Sequence, residues 1–84
     1  MKNKVLVEVK VPSIEEKYDV YLPVNKKIGN VIILLCKAVN DFTHGIYVGN
    51  TSVNLYNDHT GEKYDIDLLL RNTDITNGSV LVLM

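Results

Sequence analysis

The stretch Lys17-Tyr18-Asp19-Val20-Tyr21-Leu22-Pro23-Val24-Asn25-Lys26-Lys27-Ile28-Gly29-Asn30-Val31-Ile32 changes its hydrophobic period partway along. Up to Leu22 it alternates, with Tyr18, Val20 and Leu22 on one side and Lys17, Asp19 and Tyr21 on the other, the signature of a half-buried strand. Pro23 ends that strand, because proline has no N–H to give to a ladder. From Ile28 the apolar positions Ile28, Val31, Ile32, Leu35, Val39 and Phe42 recur at three- and four-residue steps, which predicts an amphipathic helix of roughly four turns. The helix start carries a poor signal. Lys26 and Lys27 put positive charge near the positive end of the helix dipole, which leaves Asn25 as the candidate side-chain cap. The end is clearer: Thr43-His44-Gly45 supplies a glycine where helices turn left-handed.

Toward the N-terminus, Lys4 to Val11 alternates strictly, with Val5, Val7, Val9 and Val11 opposite Lys4, Leu6, Glu8 and Lys10. With the turn-like Pro12-Ser13 and Glu15-Glu16 between them, the two alternating runs predict a hairpin. Toward the C-terminus, a Gly49-Asn50 turn precedes a short strand, Ser52 to Tyr56, with Val53 and Leu55 inward. Asn57-Asp58-His59-Thr60-Gly61 is a dense run of turn residues, so Glu62 to Ile66 is expected to return as a second short strand. Leu68-Leu69-Leu70, within Asp67 to Asp74, suggests an irregular or short helical piece plugging one end of the core. Asn77-Gly78 signals a tight turn before a last strand, Ser79 to Met84. The order is strand, strand, helix, strand, strand, strand. It predicts an α+β β-grasp arrangement, one domain over residues 1–84 with a mixed sheet of four to five strands on one amphipathic helix. The expected core is Val5, Val7, Tyr18, Val20, Leu22, the helix stripe, Val53, Leu55, Leu70, Ile75, Leu81 and Leu83.

Ile28-Gly29-Asn30-Val31 opening the helix, and Leu70 through Ile75 to Asn77-Gly78-Ser79-Val80-Leu81-Val82-Leu83, resemble ubiquitin and its relatives. The nearer likeness is to the small bacterial ubiquitin-like proteins of the YukD and EsaB type, found with type VII (WXG100) secretion systems, and it runs from Val5 to Met84. Two positions depart from the pattern: Thr73 stands where that family usually carries tyrosine, and Lys27 stands in the place of ubiquitin's helix cap. The resemblance implies a cytoplasmic, non-catalytic accessory or regulatory component of a type VII, ESX-like secretion system. A stand-alone ubiquitin-like adaptor of an unrelated bacterial complex is the alternative, with a protein modifier or sulfur carrier as a third reading.

Composition narrows the classes. The chain has 84 residues, 46% hydrophobic and 23% charged, with a formal net charge of −1. That amounts to one small domain with a modest core. Near-neutral charge and scattered lysines lack the footprint of a nucleic-acid or anionic-membrane binder. The apolar run Val31-Ile32-Ile33-Leu34-Leu35-Cys36 is far short of the ~20 residues that span a bilayer. Glu8 and Lys10 interrupt the N-terminal run where a secretory signal needs an unbroken one. One cysteine, Cys36, cannot form an internal disulfide, which fits a reducing compartment. A cytoplasmic location is the expectation, without membrane insertion.

Chemistry is sparse. Ubiquitin and the sulfur carriers need a flexible Gly-Gly tail, and no glycine follows Gly78. The expectation is therefore of no conjugation or sulfur transfer. Cys36, His44, Asp58 and His59 have no metal-ligand spacing, and Thr60-Gly61-Glu62-Lys63 matches a zinc-finger linker with no finger on either side. Cys36 and His44 lie about two helical turns, ~12 Å, apart, too far for a nucleophile and its base. Asp65 and Asp67 share one side of an extended stretch, where exposed carboxylates are usually a solvated face. No phosphate-binding loop follows Gly45 or Gly49. The expectation is no enzyme, no cofactor and no metal.

Apolar residues left outside the core carry what remains. In a ubiquitin-like sheet Leu6 is expected beside Val80, Val82 and Met84 on the outer face, flanked by Lys4, Glu8 and Asn54. Asn54 falls near the place of the central isoleucine that ubiquitin uses on the same face. On the helix, Ile33 and Leu34 point about 140° and about 240° around from Ile28, beside Asn30 and Lys37. These two surfaces, rimmed by Tyr21, Tyr47 and Tyr56, are the candidate contacts for a protein partner, including type VII secretion components, or for a weak homodimer.

Overall fold

The computed structural model describes residues 3–45 and 53–84. Four strands form one mixed sheet: β1 (Lys4–Val11), β2 (Glu16–Pro23), β3 (Leu55–Asn57) and β4 (Val80–Leu83), in the order β2-β1-β4-β3. One helix, α1 (Ile28–Phe42), packs on the sheet's inner face. β1 and β4 run parallel at the centre, while β2 and β3 lie antiparallel on the flanks. The strict alternation in β1 explains this placement. Val7, Val9 and Val11 are fully buried in the core with Leu22, Leu55, Leu81 and Leu83 and the helix residues Ile28, Val31, Ile32, Leu35 and Val39. Val5, Tyr18, Val20 and Val53 pack on the core's margin.

A 3-10 turn, Pro12–Ile14, closes the hairpin, and Glu15 follows it in the left-handed conformation at φ 53°. The backbone of β1 pairs residue for residue with β2 from Lys4 opposite Pro23 to Val11 opposite Glu16. At the other end of the sheet the side-chain oxygen of Asn77 accepts the Leu6 amide at 2.8 Å, and the Gly78 amide donates to the Leu6 carbonyl at 2.8 Å. The Asn77-Gly78 turn thereby extends the parallel pairing beyond the first residue of β4. Gly78 sits at φ +90°, where a side chain is strained.

Three expectations are corrected. Glu62 to Ile66 is no strand: it returns for a single bridge, Lys63 opposite Tyr56, and then leaves the sheet. The side chain of Asp65 accepts the Asp67 amide at 2.9 Å, so turn chemistry overrides the alternation of Tyr64 and Ile66. Phe42 is not in the core. As the last residue of α1 it projects past the packed stripe, 51% exposed, with its ring 5.0 Å from that of Tyr18. Asn25 does not cap α1 either, since its side chain accepts from Arg71 at 3.1 Å. Lys27 holds the cap position without a side-chain bond, and the first helical amides find backbone partners instead. Ile28 donates to the Leu68 carbonyl at 2.8 Å and Gly29 to the Ile66 carbonyl at 3.0 Å. A backbone strap thus does the work of a capping side chain. Leu70, in the 3-10 turn Leu70–Asn72, is fully buried and plugs the core as expected of that segment. The expected Gly49-Asn50 turn, Ser52 and Tyr47 lie outside the described residues.

Candidate interaction surfaces

The outward side chains of the sheet form rows set by the registers. Leu6 stands opposite Tyr21 on β2 and, through the Gly78–Leu6 bond, level with Gly78 on the β4 side. The next row is Asp19, Glu8 and Val80, followed by Lys17, Lys10, Val82 and Tyr56. Beyond them Asn54 and Met84 exchange backbone bonds at 2.9 and 3.1 Å. Leu6 is therefore diagonal to Val80 and further from Val82 and Met84, with Glu8 and Lys10 occupying the positions directly beside the two valines. Val80, Val82 and Asn54 are half-buried, whereas Leu6 and Met84 are exposed.

The half-burial of the valines has a local cause. The Lys10 ammonium reaches Oδ2 of Asp58 at 3.1 Å, and Asp58 lies on the far side of β4, its amide donating to the Val80 carbonyl. The Lys10 stem must cross β4 between the rows of Val80 and Val82, so a charged side chain covers apolar surface with its methylenes. The outer face is a banded surface, apolar at Leu6 and Tyr21, acidic at Glu8 and Asp19, basic at Lys10 and Lys17. The sequence showed the outward residues but not which would share a row.

On the helix Ile33 is 66% exposed, and Leu34 and Lys37 are exposed as well. Ile33 and Leu34 sit on opposite sides of a polar ridge formed by Asn30 and Lys37, about 100° apart. Their neighbourhoods differ. The Ile66 side chain packs on Gly29, where a Cβ would lie 3.5 Å from that of Ile66, one helical turn from Ile33. Ile66 and Leu68, both exposed, extend the apolar flank on that side. Sequence reasoning placed Ile66 at the end of a strand and missed this; the Asp65-x-Asp67 turn signal was the clue.

A polar cluster was also missed. Asn57 accepts the amides of His59 and Thr60 at 2.8 and 3.1 Å and donates to Asp74 at 3.3 Å. The Tyr64 hydroxyl donates to the other Asp74 oxygen at 2.7 Å. Burial, followed by the Asp74 bond and charge, raises the Tyr64 pKa well above the ordinary tyrosine range. This cluster ties the 57–64 return to the segment before β4, a structural task. His59, whose amide it holds, is an exposed turn residue, while Cys36 packs against the core margin. Among the described residues no group of three or more His, Cys, Asp or Glu side chains is placed to hold a metal ion, and no helix is long and apolar enough to cross a membrane.

A parallel β1–β4 centre flanked by a hairpin strand and a short edge strand, with one helix across it, is the ubiquitin-like β-grasp fold, and solved structures share it. The EccD5 ubiquitin-like domain from Mycobacterium xenopi matches with a TM-score of 0.80 at 18% identity, over 96% of this chain and 92% of that one. A chain of the MycP5-free ESX-5 inner membrane complex matches with a TM-score of 0.80 at 19% identity; the match covers 98% of this chain and 21% of that one. The ubiquitin-like domain of an Arabidopsis thaliana protein matches with a TM-score of 0.70 at 20% identity, over 98% of this chain and 77% of that one. No family model and no curated protein matches the sequence. At these identities the likeness establishes the fold.

Proposed function

We propose that this chain is a non-catalytic ubiquitin-like interaction module of a type VII, ESX-like secretion system, an accessory or regulatory component that docks onto another protein of the apparatus in the cytoplasm. The observation that carries the reading is the likeness, at a TM-score of 0.80, both to the EccD5 ubiquitin-like domain and to a chain of the ESX-5 inner membrane complex. It agrees with the YukD and EsaB resemblance of the sequence. The surface chemistry supports binding over catalysis: apolar side chains reach the surface on two opposite sides, the outer sheet face (exposed Leu6 and Met84, half-buried Val80 and Val82, with Asn54) and the back of α1 (Ile33, Leu34, Lys37).

The test is an affinity capture from the native organism, read by mass spectrometry for bound proteins and covalent adducts, beside Val82→Asp and Ile33→Asp. Recovery of secretion components that one variant loses supports the reading and names the docking side. Capture of an unrelated complex alone overturns it in favour of a stand-alone adaptor. Adducts through the C-terminus overturn it in favour of a modifier.

A further inference from the structure

The two central rows of the outer sheet face carry like charges side by side. Glu8 stands opposite Asp19 and Lys10 opposite Lys17 in the β1–β2 register. Like charges directly across an antiparallel pair are destabilising. Among the described residues the one ion pair within 4.0 Å is Lys10–Asp58, so Glu8, Asp19 and Lys17 have no counter-ion within that distance among them. Neighbouring rows of opposite sign have a geometric property that scattered charges lack: a half-turn about an axis lying between them, along the hydrogen-bond direction, exchanges the two rows.

We propose that the outer sheet face pairs with the same face of a second copy of this chain. The half-turn lays Glu8 over Lys10 of the second copy and Asp19 over Lys17, and each contact occurs twice because the interface is isologous. On β4 the same rotation lays Val80 over Val82, which closes the apolar strip in the middle. At the ends it lays Leu6 over Pro12 and sets the exposed Met84 over Gly78, where no side chain competes for the space. One operation brings opposite charges and apolar side chains together. To meet Glu8 of the second copy the Lys10 ammonium leaves Asp58, which uncovers Val80 and Val82 for the facing pair.

The face is small. Four strands spaced by about 4.8 Å, and four outward rows about 6.8 Å apart, offer about 400 Å² per copy. That is about half of the ~800 Å² per partner in a standard interface, so the pairing is weak and concentration-dependent. It is independent of the secretion reading and leaves the back of α1 open to another protein.

The test follows the mass of the purified full chain by sedimentation equilibrium from about 10 μM to about 1 mM, where so small an interface should dissociate. The wild type is expected to move from monomer toward dimer, less so at high salt. Glu8→Lys/Asp19→Lys makes both rows basic and Lys10→Glu/Lys17→Glu makes both acidic. Each is expected to stay monomeric, while their equimolar mixture associates about tenfold or more tightly than either alone. Native amide spectra of each variant establish that it is folded. Ile33→Asp is expected to dimerise like the wild type. A wild type that stays monomeric throughout overturns the proposal. So does undiminished self-association of the folded charge variants, or loss of it in Ile33→Asp. The measurement contains no secretion component, so its failure leaves the capture experiment standing.

Discussion

The Gly29 amide donates to the Ile66 carbonyl across 3.0 Å, one of two bonds by which a strap from the distant 65–68 segment caps α1. This explains how a helix can begin after Lys26 and Lys27 without an acidic or hydroxyl cap. The strap in turn depends on the Asp65 side chain, which bends the backbone by accepting the Asp67 amide. Asp65→Ala is expected to cost about 1 kcal/mol, the usual value of such a side-chain-to-backbone bond. The diagnostic signal is local. Amide exchange at Ile28 and Gly29 should quicken more than at Val39, and equal acceleration at all three would show that the strap is not the cap.

Tyr64, the residue before the strap, anchors the chain's return to Asp74. Burial and the Asp74 carboxylate favour its neutral phenol, so its folded pKa lies above that in the unfolded chain. The resulting stability is full below about pH 10, the unfolded value, and is lost as pH rises through the folded one. Wild-type stability is expected to fall above pH ~10 by this route, while Tyr64→Phe, weaker by about 1 kcal/mol at neutral pH, falls less steeply there. Urea titrations at several alkaline pH values check it, and parallel curves for the two proteins would count against it.

The fold was legible because its signals are periodic. Val5 to Val11 and Tyr18 to Leu22 alternate, the helix stripe recurs at helical steps, and Asn77-Gly78 marks the last turn, so strands, helix and most of the core follow from local pattern. What was not legible depends on contacts between distant segments. Asn25 has the right chemistry for a helix cap, yet the Ile66 and Leu68 carbonyls take that place and Asn25 binds Arg71. The candidate surfaces divide the same way. Alternation identifies Leu6, Val80 and Val82 as outward, but only the register shows that Glu8 and Lys10 stand beside the valines and that Leu6 faces Tyr21. Asn57, Tyr64 and Asp74 are unremarkable in sequence because their meeting is a product of the chain's return.

Adjacent residues of β1 separate surface from core sharply. Val7 is 1% exposed and Leu6 40%. Val7→Asp is expected to unfold the domain, because a buried carboxylate without a partner costs several kcal/mol, on the order of the whole stability of a small domain. Leu6→Asp should keep the fold and shift stability by about 0.5 kcal/mol. Circular dichroism and thermal melts distinguish them. A folded Val7→Asp would contradict the placement of β1 in the sheet.

The bond between Lys10 and Asp58 has two separable parts. Its charges are partly solvated, at 43% and 34% side-chain exposure, so the Coulombic part is worth about 0–1 kcal/mol and is screened by salt. The stem that crosses β4 shields Val80 and Val82 by packing, which salt does not screen. Lys10→Met keeps most of the stem and removes the charge; Lys10→Ala removes both. The expected order of stability at low salt is wild type, Lys10→Met, Lys10→Ala. At about 1 M salt, with a Debye length of about 3 Å, the first gap should close while the second persists. Denaturation midpoints at the two ionic strengths measure both gaps. If Lys10→Ala and Lys10→Met prove equally stable, the methylenes do not cover the valines, and the half-burial of Val80 and Val82 has another cause.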